Sequence, residues 1–509
     1  MGYTIQSTIA AWLMATLTPS TLMVALVQTA STLPTLLFGL AAGALADIVD
    51  RRRIMLVTQI GLIALSVMIG VAELIGELGP IPLLIGTFLF GFGFTFYMPA
   101  QQANVNDLVA RADLPQALSL GSVSFNLSRA IGPALAGVIA ALLGSGSAFL
   151  ASALLFTFMI YAISGFKPRE RAIPGVPDTL FSGMKSGLRY ARHSPPMRAL
   201  IGRTFSFSLC ASGMWALLPV IARDQLKLDA GGFGMLSASF GIGAVVWVLG
   251  LQRRLSLPLN TLVAGGHLLW MAAILMIAFA TNTLMAVVGC FAAGAAWVAV
   301  LPALSAGIQS TAPGWVRARA VAMNLVAMQA SLALGSVIWG WVASHLGLGF
   351  ALAASSGAMA VLYALTYRVK VRMGDEADVT PGSQLPDFSI AVEPLPDDGP
   401  VLIQVQYQID PKDSAAFLRA IHANERARRR NGVSDWRVFR DLGAEGRYVE
   451  RFIVTSWAEY VRLRSRMTVA DQQAQDRVEA FLLPGTDIVV TRLLSTRPEG
   501  HAENSNIIN

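Results

Sequence analysis

The chain has 509 residues and a net charge of +7, and it is 54% hydrophobic and only 14% charged. Its mean hydropathy is +0.57. Soluble globular proteins carry about 25% charged residues, so this composition excludes a soluble enzyme or a free nucleic-acid-binding domain. The basic excess is confined to one region: residues 1–368 hold 20 Lys and Arg against 10 Asp and Glu, and residues 369–509 hold 18 against 21. Because the basic residues of the first part lie between apolar segments, they read as a membrane topology signal, and no nucleic-acid partner is expected.

A bilayer core takes about 20 apolar residues per helix. On that scale the sequence predicts helices near 5–17, 22–46, 54–76, 82–107, 115–143, 147–165, 199–222, 232–252, 258–281, 283–310, 318–343 and 348–367. The expected fold class is therefore an all-α polytopic membrane protein of about twelve helices, in two six-helix halves at 1–165 and 199–368. The first helix is too short to span and begins at the initiator Met, which reads as a helix lacking its N-terminal portion. The start has no basic n-region of a cleavable signal peptide. Cys210 and Cys290 sit in apolar runs and are expected to be small buried hydrophobes. A Pro-rich linker at 166–198 joins the halves, and a polar linker at 369–398 follows the second.

The character then changes. Val401–Ile409 alternates like a strand, Asp410 reads as an N-cap for a helix over Pro411–Asn431, Trp436–Asp441 and Tyr448–Thr455 read as strands, 457–483 as a helix and Asp487–Leu494 as a last strand. This order predicts a small α+β, ferredoxin-like domain at 399–495, with Trp436, Trp457 and Arg426–Arg430 on a cleft or dimer face. Residues 496–509 are expected to be a disordered tail.

The two apolar halves repeat each other at an offset of 203 residues. Gly86, Gly91, Pro99, Ala100, Gly132, Gly137 and Gly144 match Gly289, Gly294, Pro302, Ala303, Gly335, Gly340 and Gly347. Two similar membrane halves are the pattern of a secondary transporter, with a substrate path between them. If helix 1 runs outward, 17 of the 20 basic residues in 1–368 face the cytoplasm, leaving Arg223 and Lys227 outside and Arg129 within a helix. Both termini are then cytoplasmic in an inner (plasma) membrane.

Three groups of residues carry candidate chemistry. After helix 2 come Gly43, Asp47, Asp50, Arg51, Arg52 and Arg53, where a glycine permits close crossing and an acid at a helix end can pair with neighbouring basic groups or helix termini, a latch for gating. The alternative is a plain positive-inside anchor. Helix 5 carries Asn126, Arg129, Gly132, Pro133 and Gly137. Pro133 removes a backbone hydrogen bond and kinks the helix, the glycines suit tight contact with a partner, expected to be helix 8, and Arg129 is a charge deep in a helix, facing substrate or gate, or else paired structurally. Gln101, Gln102 and Asn104, with Trp215, Trp297 and Gln329, are candidate cavity lining, or amides gluing helices together. His267 reads as a packed histidine. No carboxylate sits mid-helix in the clear spans, there is no phosphate-binding loop, no metal cluster and no cofactor motif.

Residues 43–53, with Thr32–Pro34, Phe125–Pro133 and Trp215–Pro219, resemble the major facilitator superfamily, and within it the bacterial subgroup of enterobactin (siderophore) exporters. Asp50 departs from that pattern, standing where the family usually has Gly. The tail resembles the antibiotic-biosynthesis monooxygenase fold, which often dimerises. The resemblance implies an antiporter-like efflux transporter that exports a small molecule by rocker-switch alternating access, driven by a proton gradient, with a homodimer contact through the C-terminal domain. Drug or metabolite efflux is the alternative substrate class. A membrane-anchored monooxygenase-like enzyme and a non-transporting sensor are the readings from other classes.

Overall fold

The computed structural model describes residues 1–108, 113–165, 188–251, 258–367, 380 and 394–495. The expected disordered tail at 496–509 and most of both linkers lie outside the described residues. The first half comprises α1 (Gly2–Leu17), α2 (Thr21–Ile48), α3 (Arg51–Leu74), α4 (Pro80–Leu108), α5 (Leu114–Leu143) and α6 (Ser145–Ser164). The second comprises α7 (Pro195–Val220), α8 (Ala230–Val246), α9 (Leu259–Ala278), α10 (Thr283–Thr311), α11 (Gly314–Leu346) and α12 (Leu348–Thr366). Among the described residues, ten helices are long and apolar enough to cross a membrane. Of the other two, α1 has 16 residues, and the apolar stretch found among the described residues of α5 is Leu127–Leu143. Pro195 and Pro196, read as linker, open α7 instead, because a missing N–H and a fixed φ suit a helix's first turn.

The residues divide into two units. The first gathers 1–165, 199–306 and 322–367. In it the 203-residue repeat becomes a repeat of contacts. Gly86 of α4 faces Ile69 of α3, and Gly289 of α10 faces Ile277 of α9. Gly91 lies on the Ser31 carbonyl of α2, and Gly294 on the Phe240 carbonyl of α8. Gly132 meets Thr4 of α1, and Gly335 meets Ser212 and Leu209 of α7. The last contact pair crosses between halves: Gly137 of α5 abuts Gly234 of α8, and Gly340 of α11 abuts Ala25 of α2. In a bilayer no hydrophobic force drives helices together, so backbone approach over small residues supplies the contact energy. Gly144 and Gly347, with φ of +84° and +91°, end α5 and α11 at matching turns that an L side chain would strain.

The second unit gathers residues 188–198, 307–321 and the described part of the C-terminal region. Its core is a four-stranded antiparallel sheet in the order β2-β3-β1-β4, formed by β1 (Val401–Gln408), β2 (Ser434–Arg440), β3 (Arg447–Val454) and β4 (Val489–Leu494). Alternate residues of β1 (Val401, Ile403, Val405, Tyr407) turn inward onto Phe417 and Ile421 of α13 (Ser414–Asn431). Asp410 caps the short turn leading into α13, as expected, by accepting from the Lys412 N–H. The single helix expected at 457–483 is two, α14 (Trp457–Ser465) and α15 (Val469–Glu479). The break has a local cause: Thr468 and Asp471 form a capping box, which starts a new helix. Trp436 and Trp457 are 4% and 8% exposed and belong to the core, so the expectation that they line a cleft is overturned. Edge strand β4 leaves Val489, Val490, Leu493 and Leu494 exposed.

On α14, Glu459 collects Arg189 at 2.7 Å, Arg466 at 2.8 Å and Arg462 at 3.1 Å. Burial pushes its carboxyl up, but Arg466 and Arg189, through charge and hydrogen bonds, outweigh that and hold it below its ordinary value of 4.5.

Gly91→Val and Gly294→Val should each destabilise the purified protein by about 1–3 kcal/mol, the cost of overpacking, read as a lowered Tm. Gly61→Ala, where nothing among the described residues lies within 4 Å, should leave it unchanged or slightly raised, since Ala is the better helix former. The stability contributed by ionised Glu459 should be present above pH 4.5 and lost as the pH falls below it through the depressed folded value. Unfolding of wild type and Glu459→Gln, followed from neutral to acid pH, should show the wild-type transition approaching that of the variant at the acid end.

Candidate functional site

Arg129 lies midway along α5. The residue after it, Ala130, is pressed against Gly241 of α8, and two turns on Gly137 meets Gly234, so the helices run against each other over two contacts a heptad apart. That seam aims Arg129 at the neighbour of Gly241, Phe240. Its guanidinium carbon lies 5.8 Å from the Phe240 ring centre, 5.7 Å from Trp215 of α7 and 5.9 Å from Trp297 of α10. The three rings pack on one another: Trp215 on Phe240 at 4.6 Å, Trp215 on Trp297 at 5.8 Å and Phe240 on Trp297 at 6.4 Å. Among the described residues no carboxylate pairs with Arg129, so ring quadrupoles take the place of a counter-ion, about 2 kcal/mol or more for a desolvated contact.

The aromatic set continues through the second half. Trp297 touches Trp270 at 5.8 Å and Phe207 at 6.0 Å, Phe207 touches His267 at 5.0 Å, and His267 touches Tyr363 at 4.8 Å. Arg203 ends the column, lying 4.5 Å from the Tyr363 ring centre and donating to the Thr366 carbonyl at 2.8 Å. His267 donates from Nδ1 to the Val263 carbonyl at 2.7 Å and is buried, as a packed histidine should be.

Three of the residues singled out from sequence, Arg129, Trp215 and Trp297, thus meet. Gly137 faces α8 as expected, whereas Gly132 faces α1. Pro133 lies inside α5, and its carbonyl approaches Gly234. Gln101 and Asn104 are half-buried, Gln102 exposed and Gln329 half-buried, and among the described residues no hydrogen bond joins them to the Arg129 cluster. The side chain of Asn126 lies outside the described residues. Sequence reasoning missed Phe240, Trp270 and Phe207. The Gly234/Gly241 spacing opposite Ala130/Gly137 was the available signal for Phe240.

At the basic end, Asp50 caps α3 by accepting from the Arg52 N–H at 2.9 Å, which gives a local reason for an acid at that position. Arg51 is buried and donates to the Ala46 carbonyl at the end of α2 (3.2 Å), and Arg52 donates to the Ser164 carbonyl at the end of α6 (2.7 Å). Both charges therefore sit on helix C-termini, where the macrodipole is negative. Arg53 is exposed, 3.9 Å from Asp50. Gly43 lies in α2, and among the described residues nothing stands within 4 Å of the place a Cβ would take there, so no close crossing at Gly43 is seen among them. The Asp47 side chain lies outside the described residues.

In the C-terminal module, Glu450 is 1% exposed and accepts from Trp436 Nε1 (2.7 Å), Tyr407 Oη (2.9 Å) and Arg428 Nε (3.0 Å). Arg429 pairs with Glu425 and Arg430 with Asp471. Arg428, Arg429 and Arg430 of the basic run are thus engaged by carboxylates of the module instead of lining a cleft. The void beside it, bounded by Asn424, Arg428, Asn431, Asp471 and Gln475, is about 10 Å³, room for one water, against roughly 300 Å³ or more for a small-molecule site.

The profile of the family described as transmembrane secretion effector matches residues 1–499. The chain is 27% identical over 356 residues to the multidrug efflux pump Tap of Mycolicibacterium fortuitum, covering 66% of this chain and 84% of that one. It is 25% identical over 247 residues to the staphyloferrin A transporter of Staphylococcus aureus, covering 48% and 62%. Among solved structures, a bacterial homologue of the human lysosomal transporter Spinster matches with a TM-score of 0.56 at 15% identity, over 72% of this chain and 94% of that one. The nucleoside transporter NupG matches with a TM-score of 0.55 at 11% identity, over 72% and 97%. These folds are transporters and not enzymes, and the chain belongs to the transmembrane secretion effector family of major facilitator transporters.

Proposed function

We propose that this protein is a twelve-span efflux transporter of a bacterial inner membrane, with both termini cytoplasmic, that moves an amphipathic small molecule by alternating access. The observation that carries the reading is Arg129: a cation midway along a helix of one half, seated over three aromatic rings of the other half. Such a charge is costly in a membrane unless it serves a pathway. Here it offers an anionic or polar group a partner while Trp215, Phe240 and Trp297 take an apolar body.

Two further observations support alternation. Among the described residues, contacts between the halves gather toward one end of the bundle: Gly137 with Gly234, Gly340 with Ala25, Thr29 donating to the Ala333 carbonyl at 3.1 Å and Arg223 donating to the Thr18 carbonyl at 3.0 Å. That is the end opposite Arg51–Arg53, the outer end if the basic residues face the cytoplasm. At the inner end the Arg51 and Arg52 bonds to helix termini fit a latch that reforms when that end closes. A staphyloferrin A transporter and a multidrug efflux pump both stand among the similar proteins, and the site's chemistry favours a substrate with an aromatic or anionic part. Drive by the proton gradient rests on family resemblance. The C-terminal module, with its sheet order and connections, fits the ferredoxin-like split βαβ unit, and the exposed apolar residues of edge strand β4 suit pairing with a second copy.

The test is accumulation of siderophores and dyes in efflux-deficient cells expressing the chain, with and without a protonophore. Lowered accumulation that the protonophore reverses is the expected result. Unchanged accumulation with the protein present in the membrane overturns the reading. Arg129→Met should reduce export at least tenfold, whereas Arg129→Lys, which keeps charge but loses the planar stack, should retain part of it. Gly137→Leu should hold the outer end open, so that a cysteine placed on the α7–α8 loop side of the seam becomes accessible to an impermeant thiol reagent while export falls.

A further inference from the structure

Within the second unit the module meets two segments outside its own fold: residues 188–198, which lead into α7, and residues 307–321, the hairpin between α10 and α11. Each contributes one aromatic side chain. Tyr190 and Trp315 pack edge to face at 5.7 Å, and the Tyr190 hydroxyl donates to the Thr311 carbonyl at the end of α10 (3.3 Å).

Two arginines of the module cover this pair. Arg466 lies 4.4 Å from the Trp315 ring centre, and Arg430 lies 5.5 Å from that of Tyr190. Each is fixed from behind by a carboxylate. Arg466 donates to Glu459 (2.8 Å) and to the Asn431 carbonyl (3.3 Å), and Arg430 donates to both oxygens of Asp471 (2.6 Å each). Glu459 also accepts from Arg189 at 2.7 Å, which closes the circuit from the module back to the segment before α7. Exposed ion pairs contribute little, but the side chains of Arg466 and Glu459 are only 7% and 10% exposed. The backbone makes room for them: Gly432 has a φ of +126°, and a Cβ there would run into Glu459 and Arg189.

The segments so fastened are continuous with the helices of the aromatic cage. Residues 188–198 run into α7, which carries Trp215, and 307–321 join α10, which carries Trp297, to α11. We propose that the module is a brace that holds the ends of α7, α10 and α11 in register, which makes Tyr190, Trp315, Arg430, Glu459 and Arg466 positioning residues for the rings over Arg129. This rests on the export reading, since it assigns the brace to the same site. A slide of α10 against α7 would part Trp215 from Trp297, and both from the guanidinium they share. The stacked arginines suit such a role: a planar cation between a ring and a carboxylate resists sliding in two directions.

The test uses the full chain with spin labels on Arg198→Cys and Gln309→Cys, the native Cys210 and Cys290 being buried. Pulsed electron resonance should give one narrow distance distribution in the otherwise unaltered chain. Trp315→Ala with Arg466→Ala should broaden it and raise KM for an exported dye about threefold to tenfold, as loss of coupling between contacting residues does, with membrane abundance and maximal rate retained. Trp315→Phe alone, which keeps a ring under the Arg466 guanidinium, should leave both near wild type. An unchanged distance distribution in the double alanine variant overturns the proposal, and so does a broadened distribution with an unchanged KM. If the double alanine variant does not reach the membrane, Trp315→Leu with Arg466→Lys is judged by the same two criteria. The distance needs no transport, so a chain that exports nothing in any form counts against the export reading while the distance still decides the brace.

Discussion

Gly137 of α5 and Gly234 of α8 approach each other through bare backbone, and much of the membrane unit follows from that contact. A bilayer supplies neither water to satisfy a loosely packed helix nor a hydrophobic force to press two helices together, so attraction comes from dispersion over close surfaces and requires small residues. With Ala130 against Gly241 two turns away, the seam leaves α5 little freedom to rotate about its axis. Arg129 then has a single direction to face, toward Phe240 and the tryptophans. The matching approach of Gly340 to Ala25 repeats the arrangement on the other side of the pseudo-symmetric pair. A seam without interlocking side chains is also one that can part and re-form, as the proposed alternating access requires.

The asymmetry between the halves is as informative as the repeat. Leu332 stands where the repeat would place the partner of Arg129, and it is buried. One half therefore brings the charge and the other brings the rings. The C-terminal module handles charge in a different way. Glu450 and Glu459 are buried or nearly so and each is surrounded by donors, so these two carboxylates are satisfied and held in place.

The positions of the helices were legible because a membrane enforces length and apolarity, and the repeat was legible because close approach tolerates only small residues at fixed intervals. The strands of the module were legible from alternation alone, as β1 illustrates with Val401, Ile403, Val405 and Tyr407. What escaped reading depended on partners distant in sequence. Trp436 looked like a surface aromatic because nothing local announces that Glu450, on another strand, accepts its N–H. Asp50 looked like a departure from a pattern, and its role as a cap became visible only with the Arg52 N–H in place. Trp270 and Phe207 carried no mark separating them from ordinary lipid-facing residues, since a ring's place in a column depends on several helices at once.

A permanent positive charge at the waist of the membrane unit also bears on leakage. Two unit charges 4 Å apart repel by about 4 kcal/mol at an effective dielectric of 20, so a hydronium or sodium ion passing Arg129 meets a barrier that neutral and anionic molecules do not. Ring quadrupoles would otherwise attract such cations to Trp215, Phe240 and Trp297, but the guanidinium already occupies their common focus. In the proposed efflux cycle, the same guanidinium would oppose the uncoupled passage of cations when no cargo is bound.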